Sequence, residues 1–204
     1  MPLRTAKDDW RDAKRQAAHD AIVEAAWRLV RAEGLAGLSL RGLAVEAGIT
    51  TPTVYAYFES KDAIYDSMFQ QAASDFAERM AEPSGSSDPR QVLIEGMARF
   101  AEFCTSDPAR YQLLFQRTIP GFEPSPAAYE PAIRALEATR RRLADAGIED
   151  PRHLDLWTAL STGLVDQQIA NDPGGSRWID LVDDAVGMFL DHCRKAATPK
   201  GRKR

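Results

Sequence analysis

A chain of 204 residues can hold a headpiece of about 60 residues with a larger body, or one large domain. With 44% hydrophobic and 27% charged residues, and no apolar run close to the roughly 20 residues that span a bilayer, the composition excludes a disordered or membrane-spanning chain. The net charge of −4 argues against a protein that coats nucleic acid through bulk charge, although Arg194, Lys195, Lys200, Arg202, Lys203 and Arg204 gather positive charge at the end of the chain.

The first fifteen residues are charged and no apolar signal core follows them, so a cytoplasmic location is expected. From Asp12 onward Ile22, Ala25, Ala26, Leu29 and Val30 recur at spacings of three and four until Gly34, which predicts a first helix. Ser39 is suited to cap a short helix that turns Leu43 and Ala44 inward, and Gly48 permits a tight turn after Ala47. A second short helix is expected over 52–58, with Thr51 as its cap and Pro52 at its first position, where a missing N–H costs nothing. Ser60 then caps a long helix with Ile64, Met68, Ala72, Phe76 and Met80 on one stripe, ending before the Pro83–Pro89 stretch.

About five more helices follow, punctuated at 106–108, 119–121, Gly147 and 172–175; strand signals are almost absent. In the last two, Leu154, Leu156, Trp157, Leu160, Leu164, Val165 and Ile169, then Trp178, Leu181, Val182, Ala185, Met188 and Phe189, spread over more than one helical face. Such helices need cover on two sides, most simply from their own core and from the same helices of a second copy. Leu164, Gln168, Leu181, Ala185, Met188 and Phe189 are therefore candidates for a dimer interface. The expected organisation is an arm and headpiece over 1–60, a connecting helix and body over 61–195, and a basic tail over 196–204.

The run from Ser39 to Lys61 places two short helices on either side of a turn of three or four residues, the helix-turn-helix arrangement. That arrangement supplies a bracing helix, a glycine turn and a second helix narrow enough for the major groove. Leu43, Ala44, Ile49, Val54 and Phe58 are expected in the core.

Residues 17–80 resemble the DNA-binding region of TetR/AcrR-type regulators: an alanine-rich first helix, Leu43-Ala44 followed by Ala47-Gly48-Ile49, Tyr55-Ala56-Tyr57-Phe58, and Ser60-Lys61-Asp62. The resemblance implies an all-α homodimer, a three-helix headpiece with about nine helices in all, that binds double-stranded DNA and senses a small molecule. It puts Thr50, Thr51, Pro52, Thr53, Tyr55, Ala56 and Tyr57 on the recognition helix or its entrance. Threonine suits bases and phosphates, and a tyrosine hydroxyl reaches phosphates. Lys61 with the N–H groups behind Ser60, and Ser39 with Arg41, would hold the backbone. Tyr55 is open to a second reading, a ring packed beneath the helix. The recognition helix has no Lys or Arg, so affinity must come from Lys61 and Arg41; the basic arm of Arg4, Lys7, Arg11, Lys14 and Arg15, interrupted by acidic residues, is open to both readings, a DNA contact or a solvated segment.

The body resembles one regulatory subgroup more loosely, in 107–115, 120–124 and 163–168, without naming a ligand. Family architecture implies a pocket that Phe100, Phe103, Tyr111, Phe115 and Trp157 either line or support as ordinary core. Asp166, Gln167 and Gln168 interrupt an apolar helix and are open to three readings: ligand contact, hydrogen bonds across a dimer, or exposure. No cofactor or metal is expected, since Cys104 and Cys193 fit no zinc spacing and His19, His153 and His192 stand apart in sequence. No Gly-rich phosphate loop, HExxH or GxSxG supports an enzyme. The remaining alternatives are an effector-independent architectural DNA-binding protein and an enzyme using the helical body.

Overall fold

A computed structural model describes residues 6–197. Among them are nine α-helices, two 3-10 turns and no strand. In chain order these are α1 (Ala6–Glu33), a 3-10 turn (Leu35–Gly37), α2 (Leu40–Glu46), α3 (Thr51–Tyr57), α4 (Lys61–Ala81), α5 (Pro89–Ser106), α6 (Pro108–Phe115), α7 (Pro126–Asp145), α8 (Pro151–Asn171), a second 3-10 turn (Ile179–Leu181) and α9 (Val182–Ala197). α1 begins six residues before the expected start, because Asp9 to Ala17 are exposed and so leave no apolar periodicity to read.

The chain separates into two compact units. One gathers Met1–Ala72 with Gln112–Tyr129, the other Ala73–Tyr111 with Glu130–Arg204. The division cuts α4 itself rather than the residue before it, because the first half of α4 is bonded to α1. Fully buried Trp27 donates through Nε1 to Gln71 Oε1 at 2.7 Å, and Gln71 Nε2 donates to Glu24 Oε1 at 2.7 Å. Tyr65, also buried, donates its hydroxyl to the carbonyl of Leu35 at 2.5 Å, satisfying a backbone group in the turn after α1.

In the second unit α5 packs on α8 and α9. Leu93, Met97, Leu143, Ile148, Trp157, Val186 and Phe189 form its core, with the Trp157 and Phe189 rings edge to face at 5.1 Å. Each such side chain contributes about 1.5–3 kcal/mol on burial. α7 ends as expected at Gly147, whose φ of +78° lets Ile148 N–H reach the Leu143 carbonyl at 2.9 Å while Gly147 N–H reaches Ala144. Arg99 donates to the carbonyls of Glu82 and Pro83, and Arg142 to those of Met80 and Glu82, so two guanidinium groups satisfy the open C-terminal end of α4.

Gln168 sits deep in the second unit with 2% exposure. Its amide nitrogen donates to the Asp172 carbonyl and its oxygen accepts from Trp178 N–H at 2.9 Å, so its bonds close the loop after α8 from within. Gln168→Leu should lower stability by about 1–3 kcal/mol, because the Trp178 N–H loses its acceptor. Urea unfolding followed by circular dichroism measures this, and an unchanged midpoint would contradict the role.

Candidate nucleic-acid interface

The headpiece is built by its caps. Ser39 Oγ accepts from Gly42 N–H at 3.1 Å to start α2. At Gly42 a Cβ would lie 2.9 Å from that oxygen and 3.3 Å from a methyl of Leu29, so this position carries both the cap and the close approach of α1 to α2. α2 ends in a Schellman turn: Ile49 N–H bonds the Ala44 carbonyl at 2.9 Å and Gly48 N–H the Val45 carbonyl at 3.1 Å, with Gly48 at φ +66°. The turn aims α3 across α2.

The cap of α3 is Thr50, not Thr51. Thr50 Oγ1 accepts from Thr53 N–H at 3.3 Å, and Val54 N–H, which a Thr51 cap would have needed, already bonds the Thr50 carbonyl at 3.1 Å. Pro52 consequently falls one residue further into the first turn, still among positions whose N–H has no partner in the helix. Phe58 closes α3 in extended conformation.

Val54 and Phe58 are buried beneath α3, with Leu43 and Ala44 beneath α2, while Ile49 is half-buried. The opposite side of α3 is open. Thr50, Pro52, Tyr55 and Ala56 are exposed; Thr51, Thr53 and Tyr57 are half-buried. Tyr55 is 54% exposed, so its ring stands outward instead of packing below. Arg41 is exposed near the start of α2. Ser60 Oγ accepts from Ala63 N–H at 3.1 Å to cap α4, and Lys61 holds its ammonium 5.3 Å from the Tyr65 ring.

Three contacts around this surface were not readable from sequence spacing. Arg15 of α1 lies with its guanidinium 5.9 Å from the Tyr57 ring, which brings a positive charge to the end of the cation-free α3. His19 lies tilted against Phe58 at 4.7 Å between ring centroids, with one ring nitrogen 3.3 Å from Ser67 Oγ. Arg28 bonds Glu46 at 2.6 Å, tying α1 to α2. Of the expected basic arm, Arg11, Lys14 and Arg15 are exposed positions on α1; Arg4 and the side chain of Lys7 lie outside the described residues, as do Lys200–Arg204 of the basic tail.

Phe100 and Phe103 pack on Phe76 at 6.0 and 5.1 Å, and buried Tyr111 donates its hydroxyl to Asp166 at 2.7 Å. Trp157 belongs to the core of the second unit, Gln167 is exposed and bonded to Asn171, and Phe115 stands in the first unit, 37% exposed. Among the expected dimer residues, Ala185 and Phe189 are buried and Leu164 is half-buried, whereas Leu181 and Met188 are 40% and 72% exposed; Leu156 of α8 joins these last two at 40%. Both cysteines are buried free thiols, and burial raises the pKa of each, with the charge of Asp166 adding to the effect at Cys104. Folding brings His153 and His192 to 5.7 Å, edge to face. Among the described residues, no three His, Cys, Asp or Glu side chains group to hold a metal ion, and no helix is long and apolar enough to cross a membrane.

Residues 22–68 match the family of bacterial regulatory proteins, tetR family. The chain is 32% identical over 119 residues to the HTH-type transcriptional regulator Rv1816 of Mycobacterium tuberculosis, covering 57% of this chain and 50% of the relative. It is 36% identical over 93 residues to the HTH-type transcriptional regulator EthR of Mycolicibacterium smegmatis, covering 44% and 42%. The chain thus spans about half the length of the curated relatives it matches. The fold is shared with the transcriptional regulator FadR from Bacillus subtilis in complex with stearoyl-CoA, at TM-score 0.68 and 17% identity over 84% of this chain and 97% of that one. A tetR-family regulator from Streptomyces coelicolor gives TM-score 0.67 at 22% identity over 86% and 80%.

The cap geometry makes one expectation direct. Thr50→Ala should cost about 0.5–2 kcal/mol in urea unfolding, and Thr51→Ala clearly less; a larger cost at Thr51 would return the cap to it.

Proposed function

We propose that this chain, which belongs to the tetR family of bacterial regulatory proteins, represses transcription as a homodimer on a pseudo-palindromic operator and leaves it when a small molecule binds. The observation that carries the reading is the open face of α3, held over a buried Val54–Phe58 base by the Gly48 turn. On this reading α3 enters the major groove. Thr50, Thr51, Pro52, Thr53, Tyr55, Ala56 and Tyr57 meet bases and sugar-phosphate edges there, and Lys61, Ser39 and Arg41 clamp phosphates on either side.

With no cation inside α3, base reading falls to methyl and hydroxyl groups and the electrostatic part of affinity to the flanking charges, Arg15 included. The half-sites would lie about 34–36 Å apart. Pairing of two copies uses the α8–α9 surface, where Leu156, Leu181 and Met188 are left in solvent by the single chain, with Leu164 at its margin. Gln168, Ala185 and Phe189 serve the interior beneath that surface. Effector release is supported by the fold's capacity to hold a ligand, since Bacillus subtilis FadR was crystallised with stearoyl-CoA. The protein acts by linked binding equilibria and not as an enzyme.

Genomic fragments retained by the protein and then sequenced should yield a two-fold-related motif. Tyr57→Ala should lose it. Lys61→Ala should weaken retention on all sequences and lower the salt slope of log affinity by about one. No enrichment at low salt, or full retention by both variants, would overturn the reading. Separately, light scattering at micromolar concentration should give a dimer that Met188→Glu with Leu181→Glu converts to a folded monomer. A wild-type monomer, with and without DNA, would remove the homodimer.

A further inference from the structure

We propose that the first unit contains the effector site: a cleft beside α4 that takes a flat, uncharged aromatic molecule of one or two rings. The inference rests on the effector-release reading above and gives it a location and a ligand class.

The cleft has a volume of about 310 Å³, at the lower end of the roughly 300–1,000 Å³ seen for small-molecule sites. Its apolar walls are Phe69, Leu113, Leu114, Phe115, Phe122 and Tyr129. Phe69 and Leu113 are buried at its base, while Phe115 and Tyr129 stand 37% and 48% exposed. The Phe69 and Tyr129 rings are stacked at 5.9 Å with 22° between their planes, and Phe122 leans on Tyr65 at 5.5 Å. Aromatic faces held in this way offer a planar guest offset stacking and edge contacts worth more than their buried area.

The chemistry of the lining selects against charge. Gln116, Thr118, Arg117 and Glu123 also border the cleft; the first two are neutral, and the charged pair approach one another to 3.8 Å and are 92% and 79% exposed, so they meet in solvent at the rim. A charged guest pushed against the aromatic wall would lose its hydration without a buried partner. A neutral ring system gains from the same wall.

The segment 116–125 that forms one side of the cleft is anchored to the helix that follows α3. Ser125 donates its N–H at 2.6 Å and its hydroxyl at 2.8 Å to the Asp66 carboxylate on α4, and the same hydroxyl caps α7 by accepting from Ala128 N–H at 3.2 Å. Ahead of this anchor, within the stretch that lines the cleft, the segment turns at Gly121, with Phe122 N–H on the Ile119 carbonyl at 3.3 Å. A guest that shifts Phe122 therefore pulls on Asp66, less than two helical turns from Lys61. That is a route by which occupancy alters the setting of the DNA-binding surface.

The test uses 2-naphthol as probe and the full chain carrying 13C-labelled Leu and Ile methyl groups. The expected result is saturable shift changes at Leu113, Leu114 and Ile119, weakened about tenfold or more in Leu114→Trp, which fills the cleft. Where Leu114→Trp does not fold, Tyr129→Ala removes the outer wall and should weaken binding likewise. Shifts confined to the second unit, an affinity unchanged by either variant, or no saturation at millimolar probe would overturn the site. DNA retention is measured in parallel. Saturable binding by a protein that retains no DNA supports the cleft while the regulator reading falls; DNA retention without saturable binding overturns the cleft alone. Asp66→Asn should still bind 2-naphthol while its DNA retention no longer responds to the probe, and an undiminished response would overturn the anchor's part.

Discussion

The burial of α4 is the constraint on which the rest depends. Ile64, Tyr65, Met68, Phe69, Ala72, Ala73, Phe76, Ala77 and Met80 are all at or below 9% exposure, so the helix is covered around much of its circumference. A helix of that kind cannot exist in isolation, and each unit must supply apolar surface to its own portion of it. The polar groups are arranged accordingly. Gln71 reaches back to Trp27 and Glu24, Asp66 holds Ser125, and Arg99 with Arg142 satisfies the terminal carbonyls. Each of these bonds meets a backbone or side-chain need that burial would otherwise leave unmet.

Local chemistry was legible where one residue decides one backbone event. Ser39, Gly48, Ser60 and Gly147 each mark the end or start of the element that their side chain, or lack of one, permits, and the helix-turn-helix followed from them. The α3 cap shows the limit. Two adjacent threonines can both cap, and only the position of the carbonyl accepting from Val54 decides between them. The start of α1 was hidden for a different reason, since an exposed helix has no apolar period to display.

What sequence spacing does not carry is contact between distant positions. Asp66 and Ser125 are 59 residues apart, and nothing in either neighbourhood announces the other. The polar interruption at Asp166, Gln167 and Gln168 was visible, but its three members take three partners: Tyr111 across the unit, Asn171 one turn along, and the loop at 172–178. His153 and His192, separate in sequence, become neighbours because α8 and α9 pack together.

Thr50 and Thr53, at the start of α3, also bear on how selective such a surface can be. Their hydroxyls lie 2.8 Å apart and bond each other, and that of Thr50 also caps the helix, which leaves methyl groups, the hydroxyl of Thr51, the proline ring and the outer tyrosine as the outward chemistry. On the proposed docking, a mismatched base pair would leave a poorly filled gap and not an orphaned charge. Penalties of that sort are small and graded. Such a regulator would occupy a ranked series of related genomic sites, filling them in order as its cellular amount rises, instead of switching at a single address.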